Sequence, residues 1–219
     1  MPYFNLHTHR TDSGNDPDTI SIYNATIQTP ELSAPFSVGI HPWHLTEENY
    51  QPQLQFIASL RDRPGFAALG ECGLDKVCAT PLLLQLKAFR EMVRLSELYG
   101  KPLILHCVKA FDELLQVRKE LHPRQPWIIH GFRGKPELAE QLVRHGISLS
   151  FGARFNPETV KRVPVDNLFL ETDESELPIS LIYQQVASLK QISVESLEKV
   201  INNRAQRMFD LGESQFIHH

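Results

Sequence analysis

The 219-residue chain has few of the features that mark several common protein classes. It carries only three cysteines, Cys72, Cys78 and Cys107, with no Cys-x-x-Cys pair, which excludes a disulfide framework or a zinc ribbon and fits a reducing compartment. No apolar run approaches the roughly 20 residues that span a bilayer, and the N-terminus has no signal-peptide pattern. We therefore expect a cytoplasmic protein without a membrane segment.

An excess of basic residues is also missing, since the formal net charge is −4 at pH 7. Proteins that hold nucleic acids by charge alone are basic. A nucleic-acid substrate would therefore need a local site, in which bound metal ions supply positive charge. No linker, repeat or low-complexity tract interrupts the chain, so we predict a single domain over residues 1–219. Nothing in the sequence indicates an obligate protein partner.

Eight short apolar runs, rich in β-branched and aromatic residues, recur along the chain. Most are continuously apolar rather than alternating, which is typical of strands buried on both faces of a parallel sheet. The predicted strands are Tyr3–Leu6, Ile20–Asn24, Phe36–Ile40, Phe66–Gly70, Leu103–Leu105, Trp127–Ile129, Ile147–Phe151 and Leu168–Leu170.

Segments with helical spacing separate the later strands. They are Gln53–Leu60, Thr80–Tyr99, Ala110–Leu121, Lys135–Arg144, Pro178–Lys190 and Val194–Phe209. The alternation predicts an α/β fold, a TIM-type (β/α)8 barrel. Because the first two connections, residues 10–19 and 25–35, are too short and polar for crossover helices, we expect the first one or two helices to be reduced or missing. An open doubly wound sheet is the alternative, but no G-x-G-x-x-G follows the first strand.

Side chains that bind metals stand at or just after the ends of six predicted strands. Barrel active sites collect at these ends. Five of the ten histidines of the chain fall in this group. Its members are His7 and His9 after the first strand, His41 after the third, Glu71 after the fourth, His106 after the fifth, His130 after the sixth and Asp173 after the eighth.

Each of these residues also has a purely structural interpretation. His41 can cap a turn before Pro42, and His106 can be a core histidine bonded to a backbone carbonyl. Glu171 or Thr172 can take the place of Asp173 as the strand-end residue. A carboxylate such as Glu71 is costly to bury without a cation or hydrogen-bond donors, however. Together the residues therefore favour a metal site over a structural role.

The number of candidate ligands predicts more than one ion. Four histidines and two carboxylates exceed the three or four ligands of a single zinc ion. Two divalent ions (Mg, Mn or Zn), about 3.5–4 Å apart, would use all of them, activate a shared water and neutralise charge on the attacked group. This is hydrolytic chemistry, with Asp173 suited to be both ligand and general base.

The order His-x-His, Glu, His, His, Asp resembles that of the amidohydrolase-like metal-dependent hydrolases, and specifically the TatD-type deoxyribonuclease family. The motifs that carry the resemblance extend over almost the whole chain. They are "NLHTH", "GIHPW", "GECGLD", "KPLILHC", "HGFRG", "LFLETD" and "NNRAQRMF".

The resemblance implies a metal-dependent phosphodiester hydrolase acting on DNA, often as an exonuclease. The implied catalytic residues are Asp173, Glu71 and His41, of which His41 approaches the scissile phosphate. The implied substrate contacts are a base-stacking Trp43 and, for phosphate, Lys109 or Arg133. The first ion is expected at His7, His9, Glu71 and Asp173, and Glu71 bridges to a second ion at His106 and His130.

The sequence departs from the family pattern at two places. Asn5 stands where the family commonly has an acidic residue, and "HCVKA" lacks the arginine that often follows the fifth-strand histidine by two. The segments near His9 and after Asp173, which would shape the substrate cleft, are short. The resemblance therefore defines the substrate less closely than the metal chemistry. An amidohydrolase-like enzyme that cleaves a small amide, lactone or phosphoester is therefore the alternative, and a catalytically silent metal-binding protein is the third hypothesis.

Overall fold

A computed structural model of the protein describes residues 1–10, 18–27, 29, 35–212 and 216. All eight predicted strands are present, and their order in the sheet is their order in the chain. The neighbouring strands β1 and β2, β3 and β4, β4 and β5, and β7 and β8 run parallel to each other. The strands are β1 (Tyr3–Thr8), β2 (Thr19–Ala25), β3 (Phe36–Val38), β4 (Phe66–Asp75), β5 (Leu103–Val108), β6 (Trp127–Ile129), β7 (Ile147–Phe151) and β8 (Leu168–Leu170).

Seven α-helices lie between or after these strands within the described residues. Six correspond to predicted helices. They are α1 (Glu47–Ser59), α2 (Leu82–Tyr99), α3 (Phe111–Leu121), α4 (Pro136–Arg144), α5 (Pro157–Arg162), α6 (Ile179–Lys190) and α7 (Val194–Phe209). The described residues also contain the 3-10 turns Pro42–His44 and Val165–Asn167. This alternation of parallel strands and helices confirms the predicted α/β fold class.

Two helices differ from the prediction for local reasons. Helix α1 begins six residues before the predicted Gln53, because Thr46 and Asn49 form a reciprocal capping box at its N-terminus. Helix α5 was not predicted, because its six residues are too few to show a helical period. The expectation that the first two connections lack helices falls largely on residues 11–17, 28 and 30–34, which lie outside the described residues.

Strand β4 is longer than predicted, ending at Asp75 rather than at Gly70. The apolar run stops at a glycine, but Gly70 and Gly73 take φ values of 136° and 143°, which side-chain-bearing residues rarely adopt. A Cβ at Gly73 would lie 2.1 Å from the carbonyl oxygen of His106 on β5. The glycines therefore let β4 approach β5 closely, and the extension carries Glu71 and Asp75.

The chain divides into two compact units. The first unit comprises residues 1–23 and 129–219, and the second unit comprises residues 24–128. The single domain over residues 1–219 stays a prediction.

In the first unit, β1 is held by side chains from the last two helices. The Tyr183 hydroxyl accepts from Phe4 N at 3.2 Å and donates to Phe4 O at 2.9 Å. The Asn202 amide donates to the carbonyl oxygen of Pro2 at 2.8 Å. The Arg204 guanidinium donates to Leu168 O and the Ser148 hydroxyl, both at 2.9 Å. The "NNRAQRMF" motif thus anchors the sheet.

All three cysteines are free thiols, and burial raises the pKa of Cys72 far above its usual range. None of the helices in the described part of the chain is long and apolar enough to cross a membrane.

Candidate metal centre

In the first unit, the end of β1 brings two imidazoles together. His7 is the fully buried penultimate residue of β1, and His9 follows the strand, so both point to the same side. Their Nε2 atoms lie 3.2 Å apart. Two ring nitrogens that converge in this way can act as ligands to one cation.

Asp173 joins these histidines through its backbone as well as its side chain. Its N–H donates to His7 O at 2.9 Å, and its carbonyl accepts from His9 N at 3.2 Å. Its φ of 55° is in the left-handed region, which aspartate tolerates better than most residues. Its Oδ1 therefore lies 3.6 Å from His9 Nε2 and 3.9 Å from His7 Nε2. We call His7, His9 and Asp173 the first ligand set.

His130 lies beside this set, in contact with a carboxylate that the sequence analysis left as an alternative. Its ring centroid is 4.6 Å from that of His7. Its Nδ1 lies 3.4 Å from Oε1 of Glu171, which also accepts from Gly131 N at 2.6 Å. Burial alone raises the pKa of Glu171, but the nearby imidazoles of His130 and His7 outweigh it, so the pKa is lowered.

Glu171 and Asp173 are both strand-end carboxylates, and ligand atoms of both lie within 4.8 Å of a ring nitrogen of His130. Glu171 is fully buried and turns toward the loop after β6, whereas the Asp173 carboxylate is partly exposed beside the histidines of β1. Because alternation places residues two apart on the same side of an extended chain, sequence spacing alone could not choose between Glu171 and Asp173 as the strand-end ligand.

Asn5, the departure from the family pattern, fastens β1 to the segment after β8. Its amide donates to Thr172 Oγ1 at 2.9 Å and to Ser21 Oγ at 3.3 Å. Its carbonyl oxygen accepts from Thr172 N at 2.9 Å. The residue therefore supports the position of the adjacent Asp173.

In the second unit, Glu71 collects two imidazoles. Its Oε1 lies 3.0 Å from His41 Nε2 and 2.8 Å from His106 Nδ1. Its backbone N–H donates to the Asn24 side chain at 3.1 Å, which fixes the residue on β4. We call His41, Glu71 and His106 the second ligand set.

His41 makes the turn-capping contact considered for it and also contacts a candidate ligand. Its Nδ1 accepts from Trp43 N at 3.1 Å and so caps the 3-10 turn, while Nε2 faces Glu71. Burial lowers the pKa of His41, and the contact with Glu71 only partly offsets this. The imidazole is therefore neutral at pH 7, the form in which histidine binds metals.

Asp75 lies behind the second ligand set. Its Oδ2 lies 3.0 Å from His106 Nε2 and accepts from the indole Nε1 of Trp43 at 2.6 Å. Trp43 is nevertheless 60% exposed. Burial alone raises the pKa of Asp75, but hydrogen bonds from Trp43, His106 and Val77 N outweigh it and lower the pKa.

The two predicted phosphate contacts lie in loops after strands and carry exposed side chains. Lys109 follows β5 with a φ of 53°, and Arg133 follows β6. Arg154, which the sequence analysis did not single out, follows β7 in the same manner. Within the described residues, none of these three side chains forms an ion pair.

Both ligand sets fit a divalent cation. In each set the ligand atoms lie within 4.8 Å of one another. Metal–nitrogen bonds of about 2.0–2.1 Å in a tetrahedral site place ligand atoms about 3.4 Å apart. The separations of 3.2–3.9 Å in the first set, and 2.8 and 3.0 Å to Glu71 in the second, are close to that spacing. Neutral imidazole and carboxylate are also the donor types that such ions bind.

A parallel eight-stranded α/β sheet with histidine and carboxylate groups at its strand ends is the arrangement of barrel-type metal-dependent hydrolases. The family comparison agrees with this class. The profile described as "TatD related DNase" matches residues 8–210, and the chain belongs to this family. It is a metal-dependent hydrolase that acts on ester bonds, as the sequence resemblance implied.

Similar proteins are found among both curated sequences and solved structures. The uncharacterized metal-dependent hydrolase YabD of Bacillus subtilis is 28% identical over 201 residues, 80% of this chain and 77% of that protein. The 3'-5' ssDNA/RNA exonuclease TatD of Erwinia billingiae is 28% identical over 204 residues, with 80% and 77% coverage. The crystal structure of YjjV, a TatD homolog from Escherichia coli, matches with a TM-score of 0.80 at 21% identity, covering 96% of this chain and 98% of that one. At this identity the structural match shows the fold.

Proposed function

We propose that the protein is a divalent-metal-dependent deoxyribonuclease that removes nucleotides from a strand end. The observation that carries the proposal is the pair of ligand sets, His7, His9 and Asp173 in the first unit and His41, Glu71 and His106 in the second. A relative of 28% identity is named as an ssDNA/RNA exonuclease, which supports a nucleic-acid substrate.

The ligand sets support two ions, one at each set, with His130 as a further ligand. When bound, such ions activate water and neutralise charge on a phosphodiester. The part of Asp173 in this reaction is to take up the proton of the attacking water, because its carboxylate is partly exposed while its backbone is fixed. His41, whose Nδ1 accepts from Trp43 N, carries its proton on Nε2 when neutral. This N–H is placed to contact the scissile phosphate, while Glu71 and His106 hold the second ion. The expectation that Glu71 binds both ions stays a prediction.

Exposed groups near the strand ends support a nucleic-acid substrate despite the net charge of −4. Lys109, Arg133 and Arg154 follow three successive strands, and phosphate contacts from such side chains position a nucleic acid without reading its sequence. Trp43 offers an aromatic surface beside His41, with ring centroids 5.1 Å apart. Stacking on an aromatic ring requires an unpaired base, which favours a single-stranded end.

Hydrolysis that depends on metal is the first expected result. Chelator-treated protein should leave a labelled single-stranded DNA intact, and added Mg²⁺, Mn²⁺ or Zn²⁺ should restore shortening from one end. Double-stranded DNA, RNA, and a panel of small esters, lactones and amides are assayed in parallel. Cleavage of the small substrates alone would replace the proposal with the amidohydrolase-like alternative. Metal binding with no hydrolysis of any substrate would favour a catalytically silent protein.

Replacing Trp43 with alanine should weaken substrate binding more than turnover. Base–aromatic stacking contributes about 1–3 kcal/mol, so we expect KM for single-stranded DNA to rise about 5–150-fold with kcat little changed. Trp43→Phe, which keeps an aromatic ring, should lose much less. Leu83→Ala is the matched control, because Leu83 is an exposed apolar residue of the same unit. An unchanged KM in Trp43→Ala would remove Trp43 from the substrate contacts.

A further inference from the structure

The Asp75 carboxylate is surrounded by hydrogen-bond donors. It is 2% exposed, and its Oδ1 accepts from Val77 N at 2.7 Å. Its Oδ2 accepts from the indole of Trp43 and faces His106 Nε2. An ionised carboxylate, which offers acceptors on both oxygens, accepts from all three neighbours when His106 carries a proton on Nε2.

The backbone of Asp75 is fixed equally well. The buried Gln85 side chain accepts from Asp75 N at 2.7 Å and donates to Asp75 O at 2.9 Å. The same amide donates to Thr80 O at 2.7 Å, which fastens the loop between β4 and α2. Asp75 is therefore held in place independently of the groups that its carboxylate contacts.

His106 lies between two carboxylates, and in the form that binds metals only one of its two ring nitrogens carries a proton. When Nε2–H donates to Asp75, the lone pair of Nδ1 points to Glu71 Oε1, 2.8 Å away. Two acceptors this close are stabilised by a cation that both of them bind. With a cation bound between Nδ1 and Glu71, the contact with Asp75 would hold the ring proton on Nε2, the tautomer in which His106 can act as a ligand.

The same carboxylate oxygen fixes the orientation of an exposed ring. The Trp43 indole stands nearly perpendicular to the imidazole of His106, with an interplanar angle of 76° and centroids 5.6 Å apart. Its N–H is bound to the Asp75 carboxylate, while 60% of the residue remains exposed. One side chain therefore orients both a candidate metal ligand and a candidate base-stacking surface.

We propose that Asp75 is a positioning residue that couples the metal-binding tautomer of His106 to the orientation of Trp43. The inference rests on the proposed function in one respect, namely that His106 is a metal ligand through Nδ1. It adds that metal binding and base stacking share a single support.

The test is the substitution Asp75→Asn. It preserves the shape of the side chain but replaces an acceptor oxygen with an NH2 group, which faces neighbours that are themselves donors. If the new amide donates to His106 Nε2, the ring proton moves to Nδ1, and the ligand lone pair is lost. We expect Mn²⁺ affinity, measured by titration calorimetry on the metal-free protein, to fall about 10–100-fold. Nitrogen NMR of the neutral His106 ring should show the proton on Nε2 in the wild type and its displacement in the variant.

Trp43 provides a second, independent readout. Trp127 is fully buried, so collisional quenching by acrylamide reports mainly on Trp43. We expect the Asp75→Asn substitution to change the acrylamide quenching of Trp43 fluorescence. The Trp43→Phe substitution should change the metal affinity little. Asp62→Asn is the matched control, because the Asp62 side chain is 96% exposed, and it should alter none of these readouts.

The outcomes separate this inference from the proposed function. If the wild type binds no divalent ion, both are overturned. If the wild type and Asp75→Asn bind Mn²⁺ equally, only the positioning role is overturned. Should the variant fail to fold, the wild-type NMR measurement decides alone, because a neutral His106 protonated on Nδ1 contradicts the proposed tautomer.

Discussion

Replacing Asp173 with asparagine is expected to lower kcat on single-stranded DNA about 10²–10⁴-fold, measured at saturating metal. A positioned general base contributes a factor of this size, and an amide cannot accept the proton. The fold should survive, because the Asp173 backbone makes the hydrogen bonds to His7 and His9 and asparagine tolerates a φ of 55°. The unfolding temperature is recorded beside the activity.

Asp210→Asn is the matched control for this variant. Asp210 has a φ of 52° at the C-terminal cap of α7 and an exposed side chain, so it undergoes the same chemical change in the same backbone conformation. It should keep wild-type kcat. DNA cleavage that persists unchanged in Asp173→Asn would exclude Asp173 as the base. If Asp173→Asn reaches wild-type kcat at saturating metal and differs only in the metal concentration that it needs, Asp173 acts as a ligand alone.

The strand positions were predictable because each buried parallel strand is continuously apolar, and the side chain that follows it is polar. Glu71 and His106 could therefore be assigned to the C-terminal parts of their strands from the sequence, although β4 and β5 both continue beyond the predicted ends. Their alternative structural interpretations could not be separated in the same way. His41 illustrates this, since one ring nitrogen caps a turn and the other faces Glu71.

The groups that orient these side chains were less accessible to sequence analysis. The position of Asp75 could not be predicted from the sequence, because the extension of β4 that carries it depends on Gly70 and Gly73 packing against β5. Glu171 was an alternative to Asp173, and the choice between them depends on the left-handed backbone at Asp173. Such contacts depend on tertiary register, for which a single sequence carries no periodic signal.

The distribution of charge is compatible with the proposed nucleic-acid substrate. The candidate ligands include two carboxylates and contribute negative charge until cations bind. Attraction of phosphate then depends on bound ions and on exposed side chains such as Lys109, Arg133 and Arg154. Few protein cations are available to displace the condensed counterions of DNA. We therefore expect the affinity for DNA to fall less steeply with salt concentration than it does for a basic DNA-binding protein.

Replacing Glu71 with glutamine is expected to remove most metal binding from the second ligand set. Glu71 Oε1 lies within 3.0 Å of both imidazoles of that set, and the variant replaces its charge with a neutral amide. We expect the affinity for Mn²⁺ to fall at least about 100-fold, more than is typical when only an outer hydrogen-bond partner of a ligand is lost.

Thermal unfolding in a metal titration measures this loss without an activity assay. A ligand present at 100 times its Kd stabilises the native state by about 2.7 kcal/mol, so metal should raise the unfolding temperature of the wild type. In Glu71→Gln the rise should shift to much higher metal concentrations. Glu198→Gln is the matched control, because Glu198 is a buried carboxylate on α7 outside both ligand sets, and its response to metal should equal that of the wild type. Equal metal responses in all three proteins would show that Glu71 is not a ligand.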